Sequence, residues 1–270
     1  MLFLSLQIFS VYLIVTYNEY HRAVFTNTAN NLSGGINTKY AGIQQYFYLK
    51  KTNDSLLKAN ESLYNKLKAD FSLPDSLPRT YIDSMKVDSF VKYRKYSYLG
   101  AKVVSNSVTN QSNYIVLDKG KNHGVKEGMG VIDPNSAVVG IVTEVTEEYA
   151  VVMSLLHKDS HISGKLQKGG ETGILSWNGV DPNYISISNI SKSAKVLKGD
   201  TIISSGFSTA LPKGMYIGFV EALYKESSSN FYKIKFRSAA NFHNIQYVYV
   251  IQNADQDGVK DALDKIKKQP

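Results

Sequence analysis

The sequence predicts a mainly β protein in which two similar small β units follow an apolar N-terminal segment and a leucine-spaced helix. An internal repeat is the first observation. Residues 124–131 (GVKEGMGV) lead, after a short gap, to 139–145 (VGIVTEV), and residues 196–203 (VLKGDTII) lead to 217–223 (IGFVEAL). Each half reads as a glycine turn, a strand, a loop and a second strand with one glycine near its start. The second observation is a series of short β-branched and aromatic segments from Tyr98 onward, set between turns rich in Gly, Asp, Asn and Ser. The third is an uncharged start dominated by Leu, Phe, Ile and Val, followed by leucines seven residues apart.

Residues 1–17 carry no charge and lie at the lower length limit for a helical membrane span. A cleaved signal peptide would begin with basic residues and close on small ones. This segment instead runs into Asn18-Glu19-Tyr20-His21-Arg22, so an uncleaved transmembrane anchor is expected, with Tyr12, Tyr17 and Tyr20 in an interfacial aromatic belt. No Lys or Arg precedes the span to orient it. A basic stretch lost through a misassigned start would account for both the short span and the missing charge, which sequencing of the native N-terminus tests.

Residues 18–72 are expected to form a membrane-proximal helix. Its first half is weakened by Gly34-Gly35 and Gly42, each costing about 1 kcal/mol relative to Ala in a helix interior. Its second half places Leu49, Leu56 and Leu63 at heptad position d, with Tyr46, Asn53, Asn60 and Leu67 at a. Leu at d with Asn at a is the pattern of a weak parallel dimer over about residues 46–68, its register fixed by paired Asn53 and Asn60. The alternative is a single helix whose leucine stripe packs on its own domain. Pro74 and Pro78 end the helix, and residues 73–95 read as a linker with a helical turn near 84–91.

Strands are expected at 99–105, 114–117, 130–132, 138–145, 150–154, 162–166, 172–175, 184–188, 201–204, 215–224, 232–236 and 245–251. So many short strands argue for an all-β barrel or sandwich over residues 96–251. Gly140 and Gly218 mark matching bulges or barrel corners. Residues 252–270 form a charged polar tail, a frayed short helix or disordered.

Cysteine is absent, which excludes disulfides, thiolate metal sites and cysteine nucleophiles. The net charge of +8 is spread out: residues 1–95 hold 12 basic and 7 acidic groups, residues 96–251 hold 15 and 12. No concentrated basic stripe points to nucleic acid. The densest patch, Lys92-Tyr93-Arg94-Lys95-Tyr96, reads as a solvated linker with tyrosines docking on the next domain.

Several stretches resemble the bacterial rod shape-determining MreC family. They are Ile115 to Gly120 followed by Gly124 to Val131, then Val139 to Val142, then Lys198 to Gly206 leading to Leu211 to Val220. The resemblance covers Met1 to about Asn253 and is strongest over 114–223. It implies two small tandem β-barrels behind a transmembrane helix and a dimerising coiled-coil helix. It further implies a single-pass inner-membrane protein with its bulk in the periplasm, acting as a non-enzymatic scaffold of lateral cell-wall synthesis. The partners it implies are a second copy of the chain, an elongation penicillin-binding transpeptidase, MreD, and MreB indirectly across the membrane. No cofactor and no metal are implied.

Other chemistry fits the residues less well. Paired barrels also describe chymotrypsin-like proteases, and His123, Asp159 and Ser205 stand in the order of that triad. Ser205, however, lacks the glycine that precedes such a nucleophile. His157 and His161 have metal-ligand spacing only on a helix, and they fall between strands. The glycines from Gly124 to Gly130 are not followed by a helix and make no phosphate cradle. Asp255 to Gly258 lacks the glycine and glutamate of an EF-hand. An efflux adaptor also joins anchor, coiled coil and barrels, but its helical hairpin would interrupt the β region. Phe207 and Leu211, before the strand carrying Met215 and Tyr216, read either as core or as a loop offered to a partner.

Overall fold

The computed structural model describes residues 2–17, 47–67, 70–72, 84–87, 90–225 and 229–267. They belong to two compact units, Met1–Leu56 and Leu57–Pro270. Expectations on Tyr20, on the glycines at 34, 35 and 42, on Tyr46 and on Pro74 and Pro78 lie outside the described residues. In the first unit, helix α1 (Leu2–Tyr17) has no acidic or basic residue in its end turns. Among the described residues no helix is long and apolar enough to cross a membrane. Helix α2 runs over 47–64.

The second unit takes in the end of α2 from Leu57 and then forms a small antiparallel sheet of β1 (Phe71–Ser72), β2 (Ser84–Val87) and β3 (Phe90–Arg94), in the order β1-β3-β2. The helical turn expected near 84–91 is therefore a strand pairing. Ser84-Met85-Lys86-Val87 alternates polar and apolar at period two, and it pairs residue by residue with Phe90–Tyr93.

Two closed six-stranded barrels follow. The first contains β4 (Tyr96–Asn106), β5 (Ser112–Leu117), β6 (Gly130–Ile132), β7 (Val138–Val145), β8 (Ala150–His157) and β15 (Tyr247–Asn253). The second contains β9 (Ser163–Leu166), β10 (Thr172–Ser176), β11 (Tyr184–Ser191), β12 (Thr201–Ser204), β13 (Tyr216–Lys225) and β14 (Phe231–Ser238). All twelve expected strands overlap one of these. The barrels are nested rather than simply consecutive: the whole second barrel is inserted between β8 and β15, and β15 returns to close the first. Around the barrels the orders are β4-β5-β8-β7-β6-β15 and β10-β11-β14-β13-β12-β9. One is a circular permutation of the other, the sixth strand coming last in the first barrel and first in the second.

The sequence repeat maps onto equivalent places. Gly128 donates its N–H to Val142 O at 2.8 Å, and Val142 donates back to Met129 O at 2.8 Å. Gly199 and Val220 do the same, at 2.8 Å to Val220 O and 2.9 Å to Asp200 O. Gly128 (φ 81°) and Gly199 (φ 88°) adopt the left-handed conformation that this turn requires. A Cβ on Gly140 would lie 2.1 Å from Met153 O, and one on Gly218 would lie 2.2 Å from Arg237 O. The two glycines therefore do the same job, admitting a neighbouring strand, and the register shifts just beyond each, at Val142/Glu144 and Val220/Ala222.

Alternating side chains fill the barrels. Ile115, Leu117 and Val152 are buried in the first, and Leu175, Ile187, Ile234 and Phe236 in the second. After β15 the chain forms α3 (Gln256–Lys267), so the tail begins as a helix. Gln256 Nε2 donates to Glu127 O at 2.9 Å, and Lys126 Nζ meets Asp257 Oδ2 at 2.7 Å, tying its first turn to the first barrel.

Candidate functional site

Strand β4 pairs with β15 from Tyr96 to Lys102 but with β5 only from Val103 onward. That leaves polar backbone near Tyr98 and Gly100 without a strand, and the end of α2 supplies what is missing. Asn65 donates from Nδ2 to Tyr98 O and accepts Tyr98 N–H on Oδ1, both at 2.9 Å. Glu61 Oε2 accepts Gly100 N–H at 2.9 Å. Gly100 allows this approach, since a Cβ there would sit 2.9 Å from Leu57 Cγ. Tyr64 stacks with ring centroids 5.0 Å from both Tyr98 and Tyr249. Tyr249 OH donates to Leu57 O at 3.3 Å, and the Asn60 side chain also bonds that hydroxyl.

Asp70 is buried under this cluster. One carboxyl oxygen accepts from Tyr98 OH at 3.3 Å, and the other has no partner among the described residues. Burial pushes its pKa up to about 6, against opposing contributions from the Tyr98 bond and the Arg94 charge. Burial, with the Asp70 charge next in effect, also raises Tyr98 well above the usual phenol range. Apart from Asn60, read as a heptad a position, none of these groups was singled out from sequence. The readable signal was Glu61 and Asn65, spaced i, i+4 so that they share one helix face.

Leu49, Leu56 and Leu63 are 50%, 53% and 62% exposed, and Asn53 is exposed as well. Leu67 is exposed too, but it follows the helix, beyond the turn at 65–66. Asn60, the second heptad asparagine, bonds Tyr249 of its own chain.

The loop at 205–215 runs between the barrels. Gly130 of β6 donates to Ala210 O at 3.1 Å, Asn253 Nδ2 donates to Thr209 O at 2.9 Å, and Tyr216 donates to Ser136 O at 2.9 Å. Leu211 is 2% exposed, so it is core and not a partner-facing residue. Gly130 is the reason: a Cβ there would lie 2.6 Å from Leu211 Cδ2, so the missing side chain makes room for the leucine. Phe207, by contrast, is 81% exposed at the apex, held by Gly206 (φ 81°) and by its own N–H donated to Ser205 Oγ at 3.2 Å.

The residues weighed for catalysis are engaged elsewhere. Ser205 is buried in that turn. His123 closes the 3-10 turn Lys121–His123, and the carboxylate of Asp159 lies 3.9 Å from His157 Nδ1. His157 is itself a buried strand residue, accepting Asp159 N–H on Nδ1 at 3.0 Å and bonded through Nε2 to Tyr114 OH at 3.0 Å. His161 is exposed, and among the described residues no group of three His, Cys, Asp or Glu is arranged to hold a metal.

These features define a class: a double β-barrel, one barrel inserted in the other, with the end of a helix, from Leu57 onward, docked on the first. Residues 103–252 match the family model of the rod shape-determining protein MreC, barrel core. The chain belongs to that family. It is 26% identical to the cell shape-determining protein MreC of Listeria monocytogenes over 217 residues, covering 79% of this chain and 70% of that protein. To the Escherichia coli protein of the same name it is 23% identical over 157 residues, covering 58% of this chain and only 42% of the relative. A crystal structure of MreC from Pseudomonas aeruginosa superposes with TM-score 0.52 at 25% identity, covering 57% of this chain and 98% of that one. An MreC structure from L. monocytogenes gives TM-score 0.56 at 24% identity, covering 79% and 93%.

Proposed function

We propose that the chain is a membrane-anchored, non-enzymatic scaffold of the cell-elongation machinery, keeping rod shape by positioning peptidoglycan-synthesis enzymes on the outer side of the inner membrane. The observation that carries this reading is membership of the MreC family through the barrel core. In this reading Leu2–Tyr17 belongs to the single-pass anchor, and the barrels stand in the periplasm. Helix α2 pairs with a second copy through Leu49, Leu56 and Leu63 with Asn53 in the seam, while Asn60 stays with Tyr249. Phe207 meets an elongation penicillin-binding transpeptidase, with MreD, and MreB across the membrane, as further partners. The mechanism is positional: pairing raises the local concentration of whatever the barrels bind, and binding shifts the enzyme toward its active arrangement.

Calorimetric titration of the full chain in detergent micelles with the periplasmic part of the transpeptidase tests this. Saturable binding, micromolar or tighter and weakened by Phe207→Ala, is the expected result. Absence of binding rejects the assignment of that partner.

A further inference from the structure

The outer face of the second barrel presents a different surface. β14 turns Ile234 and Phe236 inward, both fully buried, so Lys233, Lys235 and Arg237 point outward. Three cations at every second residue make a ridge with steps of roughly 7 Å. Register fixes their neighbours. Across β13, Lys233 stands opposite Tyr224, Lys235 opposite Ala222 and Arg237 opposite Phe219. Across β11, Lys235 stands opposite Ser186 and Arg237 opposite Tyr184. Small side chains therefore flank the middle cation, and aromatic rings close both ends of a shallow strip.

The rings are available: Tyr224 is 51% and Phe219 38% exposed. Lys235 Nζ lies 4.0 Å from the centre of the Tyr184 ring. Among the described residues, none of the three ridge cations forms an ion pair. Glu221, the acid on this stretch of β13, is bonded to Lys198. Its pKa is lowered first by that bond and then by the Lys198 charge, with smaller contributions from Arg237 and Lys235.

We propose that this face binds a linear acidic glycan, with pyranose rings stacked on Tyr184, Phe219 and Tyr224 and carboxylates paired with Lys235 and Arg237. Cations that form no ion pair among the described residues call for an anion. Exposed aromatic plates call for a ring to cover them. An open strip along a strand admits a polymer, where a small molecule would need an enclosing cavity. These demands arise from the face itself; the preference for a glycan over a nucleic acid rests on the extracytoplasmic placement proposed above. The scaffold would then hold the polymer as well as the enzyme that works on it.

The test uses the full chain in detergent micelles and peptide-free glycan strands from bacterial cell wall, which carry a lactyl carboxylate on alternate sugars. Chitin oligomers provide the same rings without the charge, polyglutamate the charge without the rings, and poly(A) a nucleic acid. Saturable binding of the wall strands is expected, weakening as salt rises. Lys235→Glu with Arg237→Glu, and separately Tyr184→Ala with Phe219→Ala, should each weaken it tenfold or more, with melting unchanged for the charge variant. Equal binding of chitin or of polyglutamate, tighter binding of poly(A), no binding, or no loss in the charge variant would each overturn the proposal. Transpeptidase binding is read in a separate titration, so either idea can fail while the other stands.

Discussion

Replacing Asp70 by Asn should make the protein more stable at pH 8 and leave it almost unchanged near pH 4. The folded-state pKa of Asp70 is about 6, against an ordinary value of 3.8. Between those values the folded chain keeps a proton that the unfolded chain has released. Stability therefore falls as pH rises through that window, and the loss is complete above about pH 6. A shift of about two units corresponds to roughly 3 kcal/mol as a ceiling, at about 1.4 kcal/mol per unit. The burial of Asp70 is incomplete, and residual solvent screening reduces this to roughly 1–2 kcal/mol. Asn keeps an acceptor for Tyr98 OH, already 3.3 Å away, and removes the titration. Urea denaturation followed by circular dichroism at pH 4, 6 and 8 measures both proteins. The wild type should lose stability from pH 4 to 8 relative to D70N; parallel curves for the two proteins would refute the assignment of a buried, proton-holding Asp70.

Asn65→Ala removes two hydrogen bonds to Tyr98 and leaves backbone groups bare, so a loss of about 1–3 kcal/mol is expected, with faster proteolysis within 57–67. Leu211→Ala should cost about 2–4 kcal/mol in denaturation experiments, as expected of a buried leucine and not of a binding residue. Gly218→Ala and Gly140→Ala force a Cβ against a strand carbonyl, so each should lower the thermal midpoint by a similar amount, at a cost of about 1–3 kcal/mol. Leu56→Asp with Leu63→Asp should weaken self-association in sedimentation without altering the barrels, and an unchanged profile would reject the coil.

The strands of both barrels were legible because β-branched alternation and glycine turns are local signals. The repeat was legible for the same reason: Gly128 and Gly199 must take positive φ, and Gly140 and Gly218 must lack a side chain. Nesting was not legible, since residues 245–251 look like any strand and nothing local says which sheet they join. The β3 strand was missed because cations at Lys92, Arg94 and Lys95 made it read as solvated chain. On α2 the leucine heptad was plain, but the docking side works through polar atoms of Glu61 and Asn65, which apolar periodicity does not register. Leu211 left two readings open, and the choice was made 81 residues away at Gly130. The α3 helix did carry a signal in Val259, Ala262, Leu263 and Ile266, at i, i+3, i+4 and i+7.

The insertion of one barrel in the other also sets an order of assembly. During synthesis, residues 163–238 can complete the inner barrel while the outer one still lacks its sixth strand. Only when Tyr247–Asn253 emerges can the outer barrel close. That same strand brings Tyr249, whose ring and hydroxyl receive Tyr64 and Leu57 of α2. The end of α2 is thus seated in two stages, first on Tyr98 and Gly100 of β4 and then on Tyr249, and a copy lacking β15 would keep only the first. Complete docking of the helix end therefore waits until synthesis has passed β15.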